Sequence, residues 1–162
     1  MLLLRNATLA DVNVLAEVEG ACFPPEEAAN QDSLRDRVTV YGNCFWLLFA
    51  DNKLAGFIDG MVTDEKDLRD EMFREAFLHN PRGKWQMIFG LNTLPEYRRR
   101  GYAGRMIRAM VESAEKAGRN GVVLTCKETL IPYYRKFGFV NEGLSESAHG
   151  GACWYQMRLV FT

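Results

Sequence analysis

Apolar positions along this chain occur in two recurring patterns, short continuous runs and stripes at helical spacing. Short apolar runs bounded by turn residues predict β-strands, here at residues 2–5, 45–50, 54–62, 85–94, 121–126, 139–141 and 152–161. Stripes at three- and four-residue spacing predict helices, here at residues 8–22, 32–40, 104–117 and 130–137. Helices and strands alternate in the second half, so the pattern favours an α/β or α+β domain with helices on both faces of one sheet.

Turn and capping residues mark the ends of these elements. Thr8–Asp11 has the sequence of a capping box that opens the first helix, and Pro24 with Pro25 ends that helix. Gly118 follows the third helix, at the position of a C-cap glycine. The segment Asp51–Lys53 separates two apolar runs and is typical of the turn of a β-hairpin.

The length and composition indicate a single globular domain over residues 1–162. A chain of 162 residues, 48% apolar and 25% charged, is ordinary for a soluble globular protein. The net charge of −1 argues against a nucleic-acid partner, which usually requires a clear basic excess. No apolar stretch approaches the roughly 18 residues of a membrane span, and residues 1–6 fit a strand better than a signal peptide. We therefore expect a cytoplasmic protein without a membrane partner.

The chain contains four cysteines, Cys22, Cys44, Cys126 and Cys153. No two of them form a CxxC motif or another spacing typical of a metal site. We therefore expect reduced and mostly buried thiols, and we expect no bound metal.

The most informative segment is the strand-to-helix turn at residues 91–104. Three consecutive arginines, Arg98 to Arg100, follow the end of a strand, and a strong helix begins after Gly101. The first N–H groups of a helix have no partner within the helix and carry partial positive charge. Together with glycines that allow a ligand to approach the backbone, this arrangement suits a pyrophosphate. The alternative is an ordinary turn whose arginines only solubilise a loop.

The sequence Arg98-x-x-Gly101-x-Ala103 resembles the coenzyme A motif Q/R-x-x-G-x-G/A of the GCN5-related N-acetyltransferase (GNAT) superfamily. This resemblance implies an α/β fold with a mixed, mostly antiparallel seven-stranded sheet and about four flanking helices. It also implies acetyl-CoA as cosubstrate, held by the pyrophosphate turn and by a strand along the pantetheine arm. The residues implied in binding acetyl-CoA are Leu91, Asn92, Thr93, Arg98, Arg99, Arg100, Gly101, Tyr102, Ala103 and Gly104.

A second motif combines the aromatic pair Tyr133-Tyr134 with Phe137-Gly138-Phe139. It resembles the other signature of the superfamily, in which the second tyrosine, here Tyr134, protonates the departing thiolate of CoA. The chemistry is consistent with this role, because a phenol of pKa about 10 can hydrogen-bond or protonate a thiolate of pKa about 8.5. The alternative is that Tyr134 is an aromatic core residue of an amphipathic helix.

Three further segments resemble the arylalkylamine (serotonin) N-acetyltransferase branch, namely Phe23–Glu26, His79-x-Pro81-x-Gly83 and Leu124–Glu128. The resemblance implies an amine pocket at Phe23 and Pro24. We expect the pocket to include Glu27, which could attract a cationic amine, and the aromatic Phe89 as well. That branch carries two histidines on its central strand, which relay protons from the amine. The corresponding positions here are Met87 and Phe89, and neither side chain accepts a proton.

Another group must therefore accept the proton of the amine, which is a cation near neutral pH. Asp59 is one candidate, because it interrupts the apolar run 54–62, where an aspartate is disfavoured. His79, in the loop before the central strand, is a second candidate. Structural alternatives are a hydrogen-bonded acid or bulge residue for Asp59 and a loop histidine for His79. Glu26 and Glu27 either attract the amine or only face water.

The residues and the resemblance together predict an enzyme that transfers the acetyl group of acetyl-CoA directly to a primary amine. Arylalkylamines and polyamines are the leading small-molecule acceptors, and we expect a monomer or a homodimer. One alternative is an acetyl-CoA-binding module with weak turnover, which the missing histidine pair favours and Tyr134 opposes. The other alternative is an acetyltransferase that acts on a protein amine.

Overall fold

The computed structural model describes residues 1–162 and contains nine strands and five α-helices. The strands are β1 (Leu2–Arg5), β2 (Phe45–Ala50), β3 (Lys53–Asp59), β4 (Val62–Thr63), β5 (Trp85–Ile88), β6 (Gly90–Thr93), β7 (Gly121–Cys126), β8 (Val140–Leu144) and β9 (Tyr155–Val160). The helices are α1 (Val12–Cys22), α2 (Gln31–Tyr41), α3 (Glu71–Arg74), α4 (Tyr102–Lys116) and α5 (Ile131–Arg135). The α/β class predicted from the sequence is confirmed.

The strands form two sheets, one in the order β1-β2-β3-β6 and one in the order β4-β5-β7-β9-β8. Every pairing is antiparallel except that of β5 with β7, so the mixed and mostly antiparallel character is as predicted. Nine strands replace the predicted seven because two predicted strands are each divided in two. The run 54–62 is divided at Gly60, whose Cα packs against the Met87 carbonyl more closely than any side chain would permit.

The second division, at Phe89, creates the cleft of the molecule. β5 pairs in parallel with β7 as far as Ile88, which lies opposite Leu124. β6 begins at Gly90, opposite Asp59, and β3 is its only strand partner. The central strand therefore changes partner at Phe89, and a cleft opens between β6 and the end of β7.

Helices cover both faces of the sheets and close two apolar cores. On one face, Leu15 of α1 and Leu34 of α2 share a cluster with Phe57 of β3. On the other face, Met106 of α4 shares a cluster with Ile58 of the same strand. Phe57 and Ile58 enter different cores because consecutive side chains of a strand point to opposite faces. None of the helices combines the length and apolarity that crossing a membrane requires.

Local interactions between neighbouring residues fix several element ends. The capping box at Thr8–Asp11 is present in the structure. Asp51 and Asn52 have φ of 50° and 70°, the left-handed pair that a two-residue hairpin turn requires, and β3 already begins at Lys53. The side chain of Asn30 caps α2 by accepting a hydrogen bond from the Ser33 N–H at 2.8 Å. All four cysteines are free thiols.

Candidate active site

The cleft between β6 and β7 contains a cavity of ≈ 280 Å³. A second cavity of ≈ 230 Å³ adjoins it along β6 towards the start of α4. Of the residues predicted to form the site, those that line the first cavity are Phe23, Pro24, Glu27, Phe89, Leu91 and Tyr134. Those that line the second are Phe23, Leu91, Asn92, Thr93, Arg98, Ala103 and Tyr134. The two cavities share Phe23, Leu91 and Tyr134, so they are neighbours along β6.

The turn before α4 has the backbone geometry of an anion site. Arg99 and Gly101 have φ of 64° and 79°, so two left-handed residues curl the chain just before the helix. α4 starts at Tyr102, and its first N–H groups have no partner within the helix. Arg98 donates from Nε to the Thr93 carbonyl at 2.9 Å, which ties the turn to the end of β6. This arrangement fits the pyrophosphate of CoA.

The edge of β6 that faces the cleft has no strand partner. The backbone of Leu91 to Thr93 is therefore open to an extended ligand, as the sequence predicts for the pantetheine arm. The side chain of Asn92 is buried instead: its Oδ1 accepts a hydrogen bond from the Phe57 N–H at 3.0 Å, and its Nδ2 donates to Glu19 Oε1 at 3.0 Å. Only the backbone of Asn92 is thus free to contact a cosubstrate.

Tyr134 lies where the two cavities meet. α5 carries this side chain, and its ring packs edge-on against Tyr133 and Phe139, with centroid distances of 5.4 and 6.0 Å. Burial raises the pKa of Tyr134 above the ordinary value of a phenol. The hydroxyl therefore stays protonated at neutral pH and is able to donate a hydrogen bond.

Asp59 is fully buried, and it forms a salt bridge with Arg37. Its Oδ2 accepts a hydrogen bond from an Arg37 Nη atom at 3.0 Å, whereas its Oδ1 has no hydrogen-bond partner in the protein. The other Nη atom of Arg37 donates to the Phe73 carbonyl at 2.9 Å. The Arg37 side chain lines the first cavity, and Asp59 lies behind Gly90 at the same wall.

Glu19 on α1 is a buried acid of the cavity that the sequence analysis missed. It lines the first cavity, and its Oε2 accepts a hydrogen bond from the Ala29 N–H at 2.9 Å. Burial, followed by the negative charge of Asp59, raises the pKa of Glu19 to about 7. A signal for it exists in the sequence: Glu19 stands four residues after Leu15 and seven after Val12, which is the spacing of the buried face of a helix.

The structure does not place His79 with the acids Glu19 and Asp59 at the cavity. Its Nδ1 accepts a hydrogen bond from the Val62 N–H at 3.0 Å, and its ring packs on Tyr41 at 5.0 Å. Burial, followed by the positive charge of Arg119, lowers the pKa of His79 to about 4. His79 is therefore a neutral ring that lines neither of the two cavities.

Glu27 lines the cavity but is already paired with a cation. Its Oε2 lies 2.9 Å from Lys127 Nζ, and the carboxylate side chain is only 8% exposed. Glu26 is exposed to solvent. Glu19 is therefore the acid of this cavity that has no salt bridge of its own.

The profile of the acetyltransferase (GNAT) family matches residues 12–139, most of the chain. The chain belongs to this family. Among its relatives are human N-acetyltransferase 8, which is 24% identical over 117 residues, and serotonin N-acetyltransferase of Mesocricetus auratus, which is 27% identical over 113 residues. These matches cover 70% and 69% of this chain but 46% and 53% of the relatives, so the chain spans about half their length.

Solved structures share the fold over nearly the whole chain. The loading GNATL domain of CurA from Lyngbya majuscula has a TM-score of 0.85 at 16% identity and covers 99% of this chain and 98% of that one. A GNAT family acetyltransferase from Brucella melitensis in complex with acetyl-CoA has a TM-score of 0.64 at 19% identity, over 100% and 89% of the two chains. The predicted fold and the predicted family are thereby confirmed.

Proposed function

We propose that this acetyltransferase transfers the acetyl group of acetyl-CoA directly to the primary amine of a small arylalkylamine. The observation that carries the proposal is the composition of the cavity beside Tyr134. Aromatic side chains form much of its wall, and Glu19 is its acid without a salt bridge. An aromatic ring joined to a single ammonium group complements both features.

The charges in the cavity favour an arylalkylamine over a polyamine. A polyamine carries several positive charges, and each needs a carboxylate when it leaves water. Glu27 is matched by Lys127 and Asp59 is matched by Arg37, which leaves one acid for the acceptor. The aromatic residues of the wall are Phe23, Phe73, Phe89 and Trp154. A volume of ≈ 280 Å³ lies at the small end of ligand sites, which suits a compact molecule.

In the proposed mechanism the protein positions the two substrates and moves protons between them. Bound acetyl-CoA supplies a thioester, whose carbonyl carbon the amine attacks. The turn from Arg98 to Gly104 and the first N–H groups of α4 hold the pyrophosphate, and the free edge of β6 orients the pantetheine arm. The Tyr134 hydroxyl donates its proton to the sulfur that leaves.

The test is free-thiol release from acetyl-CoA with a panel of acceptors: phenethylamine, tryptamine, spermidine, several amino acids and a lysine peptide. Phenethyl alcohol is the matched control, because it keeps the aromatic ring and lacks the amine. We expect turnover with phenethylamine or tryptamine and none with the alcohol. Turnover confined to spermidine would show that the acceptor is a polyamine, and turnover confined to the peptide would show that it is a protein amine. Silence across the panel, with acetyl-CoA still bound in calorimetry, would contradict it and favour a binding module. The cytoplasmic location and the monomeric or homodimeric state stay predictions from the sequence.

A further inference from the structure

We infer that Glu19 is the catalytic residue that accepts the proton of the acceptor's ammonium group, with Asp59 and Asn92 as its positioning residues. The inference rests on the proposed function, because acetyl transfer to an ammonium group requires a proton acceptor. That acceptor must lie elsewhere in the cavity, since the central strand carries no side chain that accepts a proton. Glu19 meets the geometric requirement because it lines the cavity that contains Tyr134. His79 does not meet it, and Asp59 reaches the cavity wall only behind Gly90. His149 also lines the cavity, but its ring is stacked on Phe73 and its Nε2 is hydrogen-bonded to the Glu27 carbonyl at 3.0 Å.

The glycine at position 90 lies close to both acids at the cavity wall. A Cβ atom at Gly90 would lie 3.2 Å from Asp59 Oδ1, 3.7 Å from Glu19 Oε1 and 3.9 Å from Phe23 Cε2. Two carboxyl oxygens and an aromatic edge therefore face the same small region. The Asp59 oxygen in this region is buried and has no hydrogen-bond partner in the protein.

Asn92 and the loop before α2 hold Glu19 in place. Oε1 accepts a hydrogen bond from the Asn92 amide at 3.0 Å, and Oε2 accepts one from the Ala29 N–H at 2.9 Å. The Asn92 amide is itself anchored to the Phe57 N–H. The carboxyl group thus has a defined orientation in the wall, and each oxygen keeps capacity to accept a further hydrogen bond.

The charges around Glu19 come from each element packed against it. Asp59 faces it from β3, Arg37 and Tyr41 lie on α2, and Cys22 lies on its own helix, with the Glu27–Lys127 pair across the cavity. Arginine stays protonated in proteins, and Asp59 supplies the matching negative charge through direct contact. Burial raises the pKa of Asp59 as well, but its contact with Arg37 opposes that shift, and Glu19 has no such contact. We therefore assign the proton that exchanges near neutral pH to Glu19.

The raised pKa makes Glu19 a stronger base than an ordinary glutamate. Burial and the Asp59 charge raise its pKa to about 7, whereas an alkylamine has a pKa of about 10.4. The equilibrium constant for proton transfer from the ammonium group to Glu19 is then unfavourable by roughly three powers of ten. For a glutamate with an unperturbed pKa it would be unfavourable by about six. A gap of three powers of ten is compatible with turnover at the rates usual for enzymes.

The protons of one turnover balance as follows. The ammonium group loses its first proton to Glu19, and the neutral nitrogen forms the C–N bond while the C–S bond of the thioester breaks. The second proton leaves the nitrogen as the amide forms. The Tyr134 hydroxyl gives a proton to the sulfur and is restored by that second proton. Glu19 then releases its proton to solvent through the open side of the cavity, so each turnover liberates one proton.

The experiment compares kcat/KM as a function of pH for wild type, Glu19→Gln and Asp59→Asn, with the amine that the wild type acetylates. We expect the kcat/KM of the wild type to fall as the pH drops below about 7, which is the acid limb of its pH profile. Glu19→Gln should lose about 10²-fold or more in kcat, and its profile should lack this acid limb. Its affinity for acetyl-CoA, measured by calorimetry, should stay at the wild-type value. Asp59→Asn removes the neighbouring negative charge, so its acid limb should move to lower pH. Glu17→Gln is the matched control, since Glu17 is exposed on the same helix.

A second measurement on unmodified protein separates this inference from the proposed function. The side-chain carboxyl carbons of glutamate are labelled with ¹³C, and the Glu19 signal is assigned by its absence in Glu19→Gln or, if that variant does not fold, in Glu19→Asp. A midpoint near pH 7 supports the inference, and ionisation below pH 5 overturns it even if no amine is turned over. Unchanged kcat with an unchanged acid limb in a folded Glu19→Gln also overturns it. Failure of the whole amine panel, with Glu19 still titrating near pH 7, instead contradicts the proposed function alone.

Discussion

The two buried acids differ in how visible they are in the sequence. Asp59 stands out because an aspartate within an apolar strand is unusual, and the structure buries it completely. Glu19 lies on a helix, where glutamate is common, and only its spacing from Val12 and Leu15 places it on the buried face. No spacing indicates that both acids meet beside Gly90, because this juxtaposition joins α1, β3 and β6.

At the scale of single residues, we expect Tyr134→Phe to lower kcat by about 10²-fold. The substitution retains the ring that packs against Phe139 and removes only the hydroxyl, so the affinity for acetyl-CoA should not change. Thiol-release kinetics and calorimetry measure the two quantities. Tyr155→Phe is the control, because it also removes one hydroxyl but at a residue that lines neither cavity. A wild-type kcat for Tyr134→Phe would contradict the role of a proton donor.

At the scale of elements, the two ends of α4 provide a matched pair of glycines. Gly101 and Gly118 both have φ of 79°, and an added Cβ would meet no atom within 4 Å at either position. Alanine at each site therefore introduces backbone strain of about 1 kcal/mol and no clash. The two variants should lose similar stability in thermal unfolding.

Only Gly101→Ala should weaken the binding of CoA, by roughly fivefold, because the strain acts on the turn that presents the N–H groups to the pyrophosphate. Gly118→Ala should bind CoA as the wild type does, since its strain lies at the opposite end of the helix. Isothermal calorimetry with CoA measures both affinities. Equal affinities in the two variants would argue against the turn as the phosphate site.

β6 provides a second prediction at this scale. Gly90→Ala places a methyl group 3.2 Å from Asp59 Oδ1 and 3.7 Å from Glu19 Oε1, beside the carboxyl group that is proposed to accept the proton of the acceptor's ammonium group. We expect KM for the amine to rise roughly 10-fold or more, while the affinity for acetyl-CoA changes little. Steady-state kinetics at saturating acetyl-CoA measure this effect. Gly20→Ala, on an exposed position of α1 with open space around it, should keep the wild-type KM. An unchanged KM in Gly90→Ala would place the amine elsewhere.

At the scale of the whole molecule, two apolar cores enclose a buried polar cluster of Glu19, Arg37, Asp59 and Asn92. Burial of charged groups costs stability unless each charge is matched. Arg37 and Asp59 match each other, but Glu19 has no cation in contact. The ionised form of Glu19 is therefore expected to reduce the stability of the fold, which is a cost common at active sites.

This cost predicts a pH dependence of stability. Glu19 ionises near 4.5 in the unfolded chain and near 7 in the folded protein, so between these values the folded state binds more protons. The contribution of this group to stability is present below about pH 4.5 and declines as the pH rises towards 7. Glu19→Gln has no proton to lose. The difference in unfolding free energy between Glu19→Gln and wild type is therefore expected to shift in favour of the variant by on the order of 2 kcal/mol when the pH rises from 5 to 8.

Urea unfolding of both proteins at pH 5 and pH 8 measures this gain. Glu17→Gln, exposed on the same helix, should differ from wild type by the same amount at both pH values. If the stability difference between Glu19→Gln and wild type is also independent of pH, the raised pKa of Glu19 is wrong.

The sequence by itself determined the features that depend on neighbours along the chain. Helical and strand spacing, caps and turns act over a few residues, so the C-terminal end of α1, both ends of β7 and the β2–β3 hairpin could be predicted. The turn at residues 98–104 and the helix of Tyr134 are also continuous segments, and the family could therefore be inferred from them.

The tertiary structure decided what depends on contacts between distant segments. The break of the central strand at Phe89 follows from its two partners, β7 on one side and β3 on the other, which the local run 85–94 does not indicate. The proton acceptor was likewise out of reach of the sequence, since Glu19, Arg37, Asp59 and Asn92 lie on four different elements. Burial and mutual charge set the pKa of Glu19, and both arise only when those elements pack together.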